Sequence, residues 1–298
     1  FIILLQNKFT MLFIIVPVHN GLTSTIKMIS SLENQSYHNY NLVIVNDGST
    51  DQTEHYFKEK IKSRIVVLKG DGSLFWGGGI NLGLEYVRSV CKDDDIVAFA
   101  NNDVEFLNDT IINILEEIVK EPNAIYHSLV IDANRISHGS GSKIICWPLY
   151  ITKFPLRGIP VNNICNLDKI AVDTASARFL IFHHNMLDIV PYIDTDNFIQ
   201  YGGDDDFILS FKEKGINTYI VPRSLCVLDT KITGANWRNI LSFKEFWNSL
   251  FSIKSPNCLK IKYRFGKKHC SKLVFPLFCC SITVKTILIH WRVFLPFK

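Results

Sequence analysis

The sequence predicts an α/β fold built on a mostly parallel central sheet, and three observations carry that expectation. Apolar runs of strand length alternate with segments of helical spacing from residue 12 to about residue 120. The connections between them are short, which implies parallel strands joined by right-handed crossovers. Two of the apolar runs end in acidic turns, Val45-Asn46-Asp47-Gly48-Ser49-Thr50-Asp51 and Ala100-Asn101-Asn102-Asp103. Ligands of open α/β sheets bind outside the carboxyl ends of the strands, so Asp47 and Asp103 are expected to flank one site.

Residues 12–18 form a continuous apolar run closed by Pro17 and His19-Asn20-Gly21, the pattern of a strand buried on both faces. Ile26, Ile29 and Leu32 then recur at helical spacing, residues 41–45 give a second strand, and a helix opens near Asp51 with Glu54 as a capping-box partner. Residues 65–68, 81–90 and 96–100 continue as strand, helix and strand. Before that helix, Gly70-Asp71-Gly72 and Gly77-Gly78-Gly79 bracket Leu74-Phe75-Trp76 and read as a flexible loop. Past Glu121-Pro122-Asn123 the rhythm loosens. Short strands are expected at 125–131, 143–147 and 179–182, with a surface loop at 153–168, all continuing one sheet. A helix over 204–214, ended by Gly215, leads to a strand at 218–221. Ser242 and Glu245 mark a capping box for a helix over 242–251.

With 298 residues, 47% of them hydrophobic, the chain supplies a sizeable core and is not a disordered protein. Its net charge of +4 is uneven: residues 246–298 hold ten Lys or Arg and no Asp or Glu, leaving 22 basic against 28 acidic residues elsewhere. The basic residues cluster in an apolar tail rather than along a polar face, which argues against a nucleic-acid partner. Residues 273–297 are interrupted by Pro276, Lys285, His290 and Arg292 and fall short of the ~20 apolar residues that a membrane crossing needs. The tail is expected either to lie on an anionic membrane surface, with ~1 kcal/mol from each nearby basic residue, or to pack on the body as a helical hairpin. Eight cysteines without a CxxC pair and the absence of a secretory signal fit a cytoplasmic protein, at the inner face of the membrane if the tail docks there. Met11 reads as the start, with residues 1–10 an upstream extension.

Asp47 precedes Gly48, where glycine lets the backbone turn tightly beside a ligand; its carboxylate either accepts from a uracil or thymine N–H or caps the local turn. Asn102 and Asp103 offer hard oxygens to Mg²⁺ or Mn²⁺ against a diphosphate, Asp103 being the better ligand, unless they form only an Asn-rich turn. Gly77 to Gly83 lead into a helix N-terminus suited to an anion, but spacing and position after the third strand do not match a dinucleotide fingerprint. Trp76 reads equally as a stacking platform or a core plug. Asp204-Asp205-Asp206 begin a helix whose dipole favours ionised carboxylates, and an ionised Asp facing a sugar hydroxyl is a competent general base. The plainer alternative is an acidic first turn that only stabilises its helix; a polymerase palm is excluded because its strand-turn-strand setting is missing.

Together these segments resemble the motifs of the family 2 glycosyltransferases, the inverting GT-A type, and among them the branch that builds bacterial surface polysaccharides. The resemblance runs from about residue 12 to 221. It rests on Ile14-Ile15-Val16-Pro17-Val18-His19-Asn20, the Asp47 turn, Phe75-Trp76-Gly77-Gly78-Gly79-Ile80-Asn81-Leu82-Gly83, Asn102-Asp103 and Tyr201-Gly202-Gly203-Asp204-Asp205-Asp206-Phe207. Each motif is weak alone; their order and spacing carry the assignment. It implies a Rossmann-like sandwich over 11–235, with a nucleotide-binding half to about 122 and an acceptor half from 123, followed by a helical region over 236–298. It implies donor binding by Pro17, His19, Asn20, Asp47, Gly48, Trp76, Gly78, Asn81, Asn102 and Asp103, a Mg²⁺ or Mn²⁺ ion at Asp103, and Asp204 as catalytic base. Gly203 stands where the motif has Glu, so a register slip of one makes Asp205 the second candidate. The reaction implied is a single inverting displacement. A hexosyl or deoxyhexosyl group passes from a UDP- or dTDP-sugar to a hydroxyl of a glycan or lipid-linked acceptor, in O-antigen or capsule synthesis. Two rivals are a nucleotidyltransferase, which lacks support from any triphosphate-binding Lys or Arg cluster near the first strand, and a noncatalytic nucleotide-sugar-binding protein.

Overall fold

The computed structural model describes residues 11–60, 64–228 and 242–294, the side chains of residues 60 and 290–294 excepted. Strands β1 (Leu12–Val18), β2 (Tyr40–Asp47), β3 (Ile65–Gly70) and β4 (Ile96–Ala100) run parallel in the order β3-β2-β1-β4. Helices α1 (Leu22–Glu33), α2 (Thr53–Lys60) and α3 (Phe75–Val90) connect them. Beyond β4 come β5 (Val104–Phe106), α4 (Thr110–Lys120), β6 (Ala124–Ile131), β7 (Gly141–Cys146), β8 (Ile151–Lys153), β9 (Ile170–Val172), β10 (Thr174–Ala175) and β11 (Phe179–His183). Helices α5 (Thr195–Phe198) and α6 (Gly203–Lys212) precede β12 (Asn217–Leu228). The nine-stranded sheet continues from β4 through β11, β6 and β12 to β5, with β9 pairing off β12, while β10-β7-β8 form a small second sheet. β11 is antiparallel to both neighbours and β5 to β12, whereas β12 is parallel to β6.

The core alternates with the strand period, as a sheet covered on both faces requires. Leu12, Ile14 and Val16 face Met28 and Leu32 of α1 and Ile111, Ile114 and Leu115 of α4. Phe13 and Ile15 face Ile80, Leu84 and Val87 of α3 and Phe207, Ile208 and Phe211 of α6. This places both acidic strand ends and the α6 N-terminus in the core-flanked layer that α3 shares.

Several elements differ from expectation, each for a tertiary reason. The expected helix at 81–90 begins at Phe75, so Gly77, Gly78 and Gly79, predicted as part of a loop, are helical, while Gly70 ends β3 and Gly72 lies in the turn between. A Cβ on Gly79 would lie 2.9 Å from the Pro17 Cβ and one on Gly83 2.3 Å from Ile15 Cγ2, so these glycines let α3 lie directly on β1. The buried face of α1 runs through Thr25, Met28, Ile29 and Leu32, and Ile26 points outward. Glu54 ion-pairs with Lys58 and Lys69, and Asp51 accepts from the Thr53 N–H. The predicted surface loop at 153–168 buries Leu156, Val161 and Ile164 against the core. β12 extends well past the predicted 218–221 because β6 and β5 pair along its whole length.

The carboxyl-terminal region forms α7 (Phe243–Phe251), α8 (Leu259–His269) and α9 (Phe275–Phe294), and the capping box at Ser242 and Glu245 is formed. α8 and α9 pack as a hairpin: Ile261, Phe265, Phe278 and Ile282 join Phe198 and Leu209 of the body in one apolar cluster. A Cβ on Gly266 would meet the Phe278 ring at 2.4 Å, so glycine sets the closeness of the two helices. Among the described residues, no helix is long and apolar enough to cross a membrane. The expected boundary near residue 235 lies outside the described residues, as do residues 1–10 and 295–298.

Candidate active site

Three turns at the carboxyl edge of the sheet are stapled together by Asp47. Its Oδ1 accepts from the Gly72 N–H at 2.8 Å and its Oδ2 from the Phe75 N–H at 2.9 Å. Gly48, at φ 62°, lets the turn close on this loop, since a Cβ there would lie 2.7 Å from the Gly72 Cα. Phe75 is held at φ 53°, a left-handed conformation that is costly for an aromatic residue and is enforced by the bond to Asp47. His19 Nδ1 donates to the Asp47 carbonyl at 2.6 Å; a carbonyl only accepts, so Nδ1 carries the proton. Asn20 ties the first turn to the second, its side-chain oxygen accepting from the N–H groups of Thr50 and Asp51.

A cleft of about 370 Å³ opens over these turns. Pro17, His19, Asp47 and Trp76 line it, together with Gly72, Phe75, Gln200 and Lys254. Trp76 packs one edge on the core and turns another to the cleft; its backbone N–H donates to Gln200 Oε1 and its indole N–H to Asn101 Oδ1, both at 3.2 Å. Other expected donor residues sit in the frame. Asn81 exchanges two hydrogen bonds with the Ile193 backbone, Asn102 donates to Thr25 Oγ1 and the Gly21 carbonyl, and Gly78 packs toward Leu74. Asn20 and Gly48 shape the turns as described above.

Asp103 is half-buried in the turn between β4 and β5. Among the described residues, no group of three or more His, Cys, Asp or Glu gathers to hold a metal. The Asp103 carboxylate offers the hard oxygen that Mg²⁺ or Mn²⁺ takes from a protein alongside phosphate oxygens and water.

Asp204 and Asp205 begin α6 behind Gly202, which takes φ 80°. Gly203 is closely packed: a Cβ there would lie 3.0 Å from both Ile193 Cγ2 and the Phe198 carbonyl and 3.3 Å from the Trp76 ring, so any larger residue requires these neighbours to give by a few tenths of an ångström. The Asp204 carboxylate accepts from the N–H groups of Asp205 (3.0 Å) and Ala177 (3.3 Å), with Arg178 nearby. Burial raises its pKa, opposed by those N–H bonds and the Arg178 charge. Burial and the adjacent Asp204 charge hold Asp205 well above the usual carboxylate range, against a bond from Thr174. Asp206 belongs to the frame, buried and paired with Lys268 and His269 of α8.

Trp76 is what brings the three acidic segments together. Its neighbour Phe75 is bound to Asp47, its indole is bound to Asn101 two residues before Asp103, and its ring lies against Gly203 beside Asp204. Asn101 in turn donates its N–H to the Arg178 carbonyl, closing the path to Asp204. Gly72 and Phe75 lie in the glycine-bracketed segment that the sequence marks but were not expected to bind; Gln200, Lys254 and Arg178 were missed, because only long-range packing brings them here and no local pattern marks them.

A family model described as "Glycosyl transferase family 2" matches residues 13–172, more than half of the chain. A curated "Uncharacterized glycosyltransferase" of Haemophilus influenzae is 34% identical over 73 residues, 24% of this chain and 23% of that protein. The match thus spans about a quarter of that relative's length. Solved structures with the same fold include GalNAc-T7 with UDP, GalNAc and Mn²⁺, at TM-score 0.61 and 12% identity over 97% of this chain and 55% of that one. A mannosyltransferase from Pyrobaculum calidifontis in complex with GDP-Man and Mn²⁺ gives TM-score 0.58 and 14% identity over 97% of this chain and 73% of that one. The mostly parallel sheet with helices on both faces is therefore the GT-A architecture of these enzymes. With its motifs gathered around Trp76 and the family match running over β1 to β9, the chain belongs to glycosyl transferase family 2.

Proposed function

We propose that the protein moves a sugar from a nucleoside-diphosphate-sugar, UDP- or dTDP-linked, to a hydroxyl of a glycan or lipid-linked acceptor with inversion, in surface-polysaccharide synthesis. The observation that carries this reading is the Trp76 junction, which sets a cleft suited to a nucleotide beside a half-buried carboxylate pair. In the cleft, Trp76 and Phe75 offer aromatic faces to the donor, His19 and Gln200 offer polar edges, and Lys254 offers positive charge to an anionic ligand. Asp103 would hold Mg²⁺ or Mn²⁺, which when bound offsets negative charge on the departing nucleoside diphosphate.

Asp204 is the base in this reading. Two backbone N–H groups and Arg178 support its ionised form, whereas Asp205 is pushed further up by its neighbour. Of the two, Asp204 ionises first and takes the acceptor proton as the hydroxyl oxygen attacks the anomeric carbon. Burial and the Asp204 charge push Asp205 up, so the pair resists taking a second charge.

The test is release of nucleoside diphosphate from a panel of UDP- and dTDP-sugars. Asp204→Asn is expected to lower transfer ~10²–10⁴-fold while donor binding by calorimetry is retained. Full activity in that variant refutes the assigned base; pyrophosphate as product points to a nucleotidyltransferase, and donor binding without turnover to a noncatalytic protein. EDTA is expected to abolish transfer, with recovery on adding MnCl₂ or MgCl₂.

We further propose that the carboxyl-terminal helices rest on an anionic membrane surface at the cytoplasmic face. Phe243, Trp247 and Phe251 of α7 are 64%, 53% and 63% exposed at i, i+4, i+8 spacing, too much apolar area for a face turned only to water. Phe251 and Phe275 continue this surface beside Lys260, Arg264 and Lys267.

A further inference from the structure

A second cavity, of about 230 Å³, opens at the α6 N-terminus next to the donor cleft. Gln200 lines one and Tyr201 the other; Lys254 and Pro256 divide in the same way. The second cavity is walled by Tyr150, Tyr201, Ile261 and Phe265, with the Asp205 carboxyl and the Lys262 ammonium among its polar groups. No residue that lines it was singled out by the sequence for binding, apart from Asp205.

We propose that this cavity is the acceptor site and takes one pyranose ring of the acceptor glycan, with Tyr201 and Lys262 setting its specificity. The proposal rests on the glycosyltransferase reading above and extends it to a site. A pyranose ring has an apolar C–H face and a rim of hydroxyls, and the cavity offers the complement of each. Aromatic side chains match the ring face, while a carboxyl acceptor and an ammonium donor match the hydroxyl rim. Asp205 lines the cavity and lies close enough to Asp204 for their charges to interact, so a ring held here brings a hydroxyl near the carboxylate pair.

Two features mark the cavity as built. Tyr150 sits at φ 43°, a strained backbone for a bulky residue. The turn is held from α9, where Lys285 Nζ donates to the Tyr150 carbonyl at 2.8 Å and Ser281 Oγ to the Leu149 carbonyl at 3.0 Å. Lys262 is half-buried, and its ammonium donates to Thr286 Oγ1 at 2.7 Å. Among the described residues it forms no ion pair, so a neutral hydroxyl is its recorded partner and burial draws its pKa down to about 8. A half-buried cation kept without a counter-charge costs stability, and donation to an acceptor hydroxyl gives it a use.

The test is saturation-transfer NMR with methyl glycosides of glucose, galactose, mannose and N-acetylglucosamine, in saturating UDP and MnCl₂. At least one glycoside is expected to bind, and Lys262→Met and Tyr201→Ala are each expected to weaken it by roughly tenfold or more. Lys262→Met removes a buried charge and is expected to melt no lower than the natural chain, so its loss of binding is not unfolding. UDP affinity, measured alongside, is expected to stay within about twofold in both variants and reports on the donor reading separately. The proposal falls if UDP binds but no glycoside does, or if both variants bind the glycoside as tightly as the natural chain.

Discussion

Asp205 is an acid whose ionisation the fold opposes. Its carboxyl is raised by burial and by Asp204, so folding disfavours its ionised form. A raised acid costs stability at any pH above its folded value, and that cost disappears below the unfolded value near ~4. Asp205→Asn is therefore expected to raise the melting temperature at pH 7–8 by ~2–4 °C for each kcal/mol relieved, with the gain shrinking to nothing as the pH approaches ~4. A melting-temperature series across pH checks both the sign and the trend. Gly83 gives the opposite case. Alanine within a helix normally gains ~1 kcal/mol over glycine, but here a Cβ would lie 2.3 Å from Ile15 Cγ2, and overpacking costs ~1–3 kcal/mol. The clash wins, and Gly83→Ala is expected to lower the melting temperature; a rise would mean that α3 does not rest on β1 as described.

The elements that were legible in the sequence are those whose burial is written into local periodicity. β1, β2 and β4 show continuous apolar runs because helices cover both faces of the sheet, and α7 announced itself through Ser242 and Glu245. The start of α3 was not legible. Three successive glycines oppose helix formation on propensity alone, and only contact with Pro17 and Ile199 explains them. The proposed membrane docking of α7 likewise depends on a face that only the fold reveals. Deleting the tail is a poor test of it, because α8 and α9 hold part of the core. Trp247→Ser with Phe251→Ser removes exposed apolar surface without opening that core. The double variant is expected to lose most of its co-sedimentation with phosphatidylserine vesicles while keeping its melting temperature, and unchanged sedimentation removes the surface-docking proposal.

Across the whole molecule, the sequence marked the acids expected to carry chemistry but not how the chain closes around them. Asp47, Asp103 and Asp204 stood out through their turns and helix start, whereas Gln200, Arg178 and Lys254 reach the site through contacts too distant in sequence to leave a pattern. The same applies to the carboxyl-terminal helices, whose basic, aromatic composition hides a structural role. Ile261, Phe265, Phe278 and Ile282 are buried against Phe198 and Leu209, and each such side chain contributes ~1.5–3 kcal/mol. Asp206 is 2% exposed and is paired from α8 by Lys268 and His269; stripping a buried charge of its partners costs ~3–5 kcal/mol more. Those losses together match or exceed the ~5–15 kcal/mol that holds a typical domain folded. A chain ending at residue 256 is therefore expected to lose cooperative unfolding and donor binding together, although the cleft's acidic turns all lie upstream. Differential scanning calorimetry decides it: a truncated chain that melts cooperatively within a few degrees of the full chain would show that the catalytic sandwich stands alone and the hairpin is an appendage.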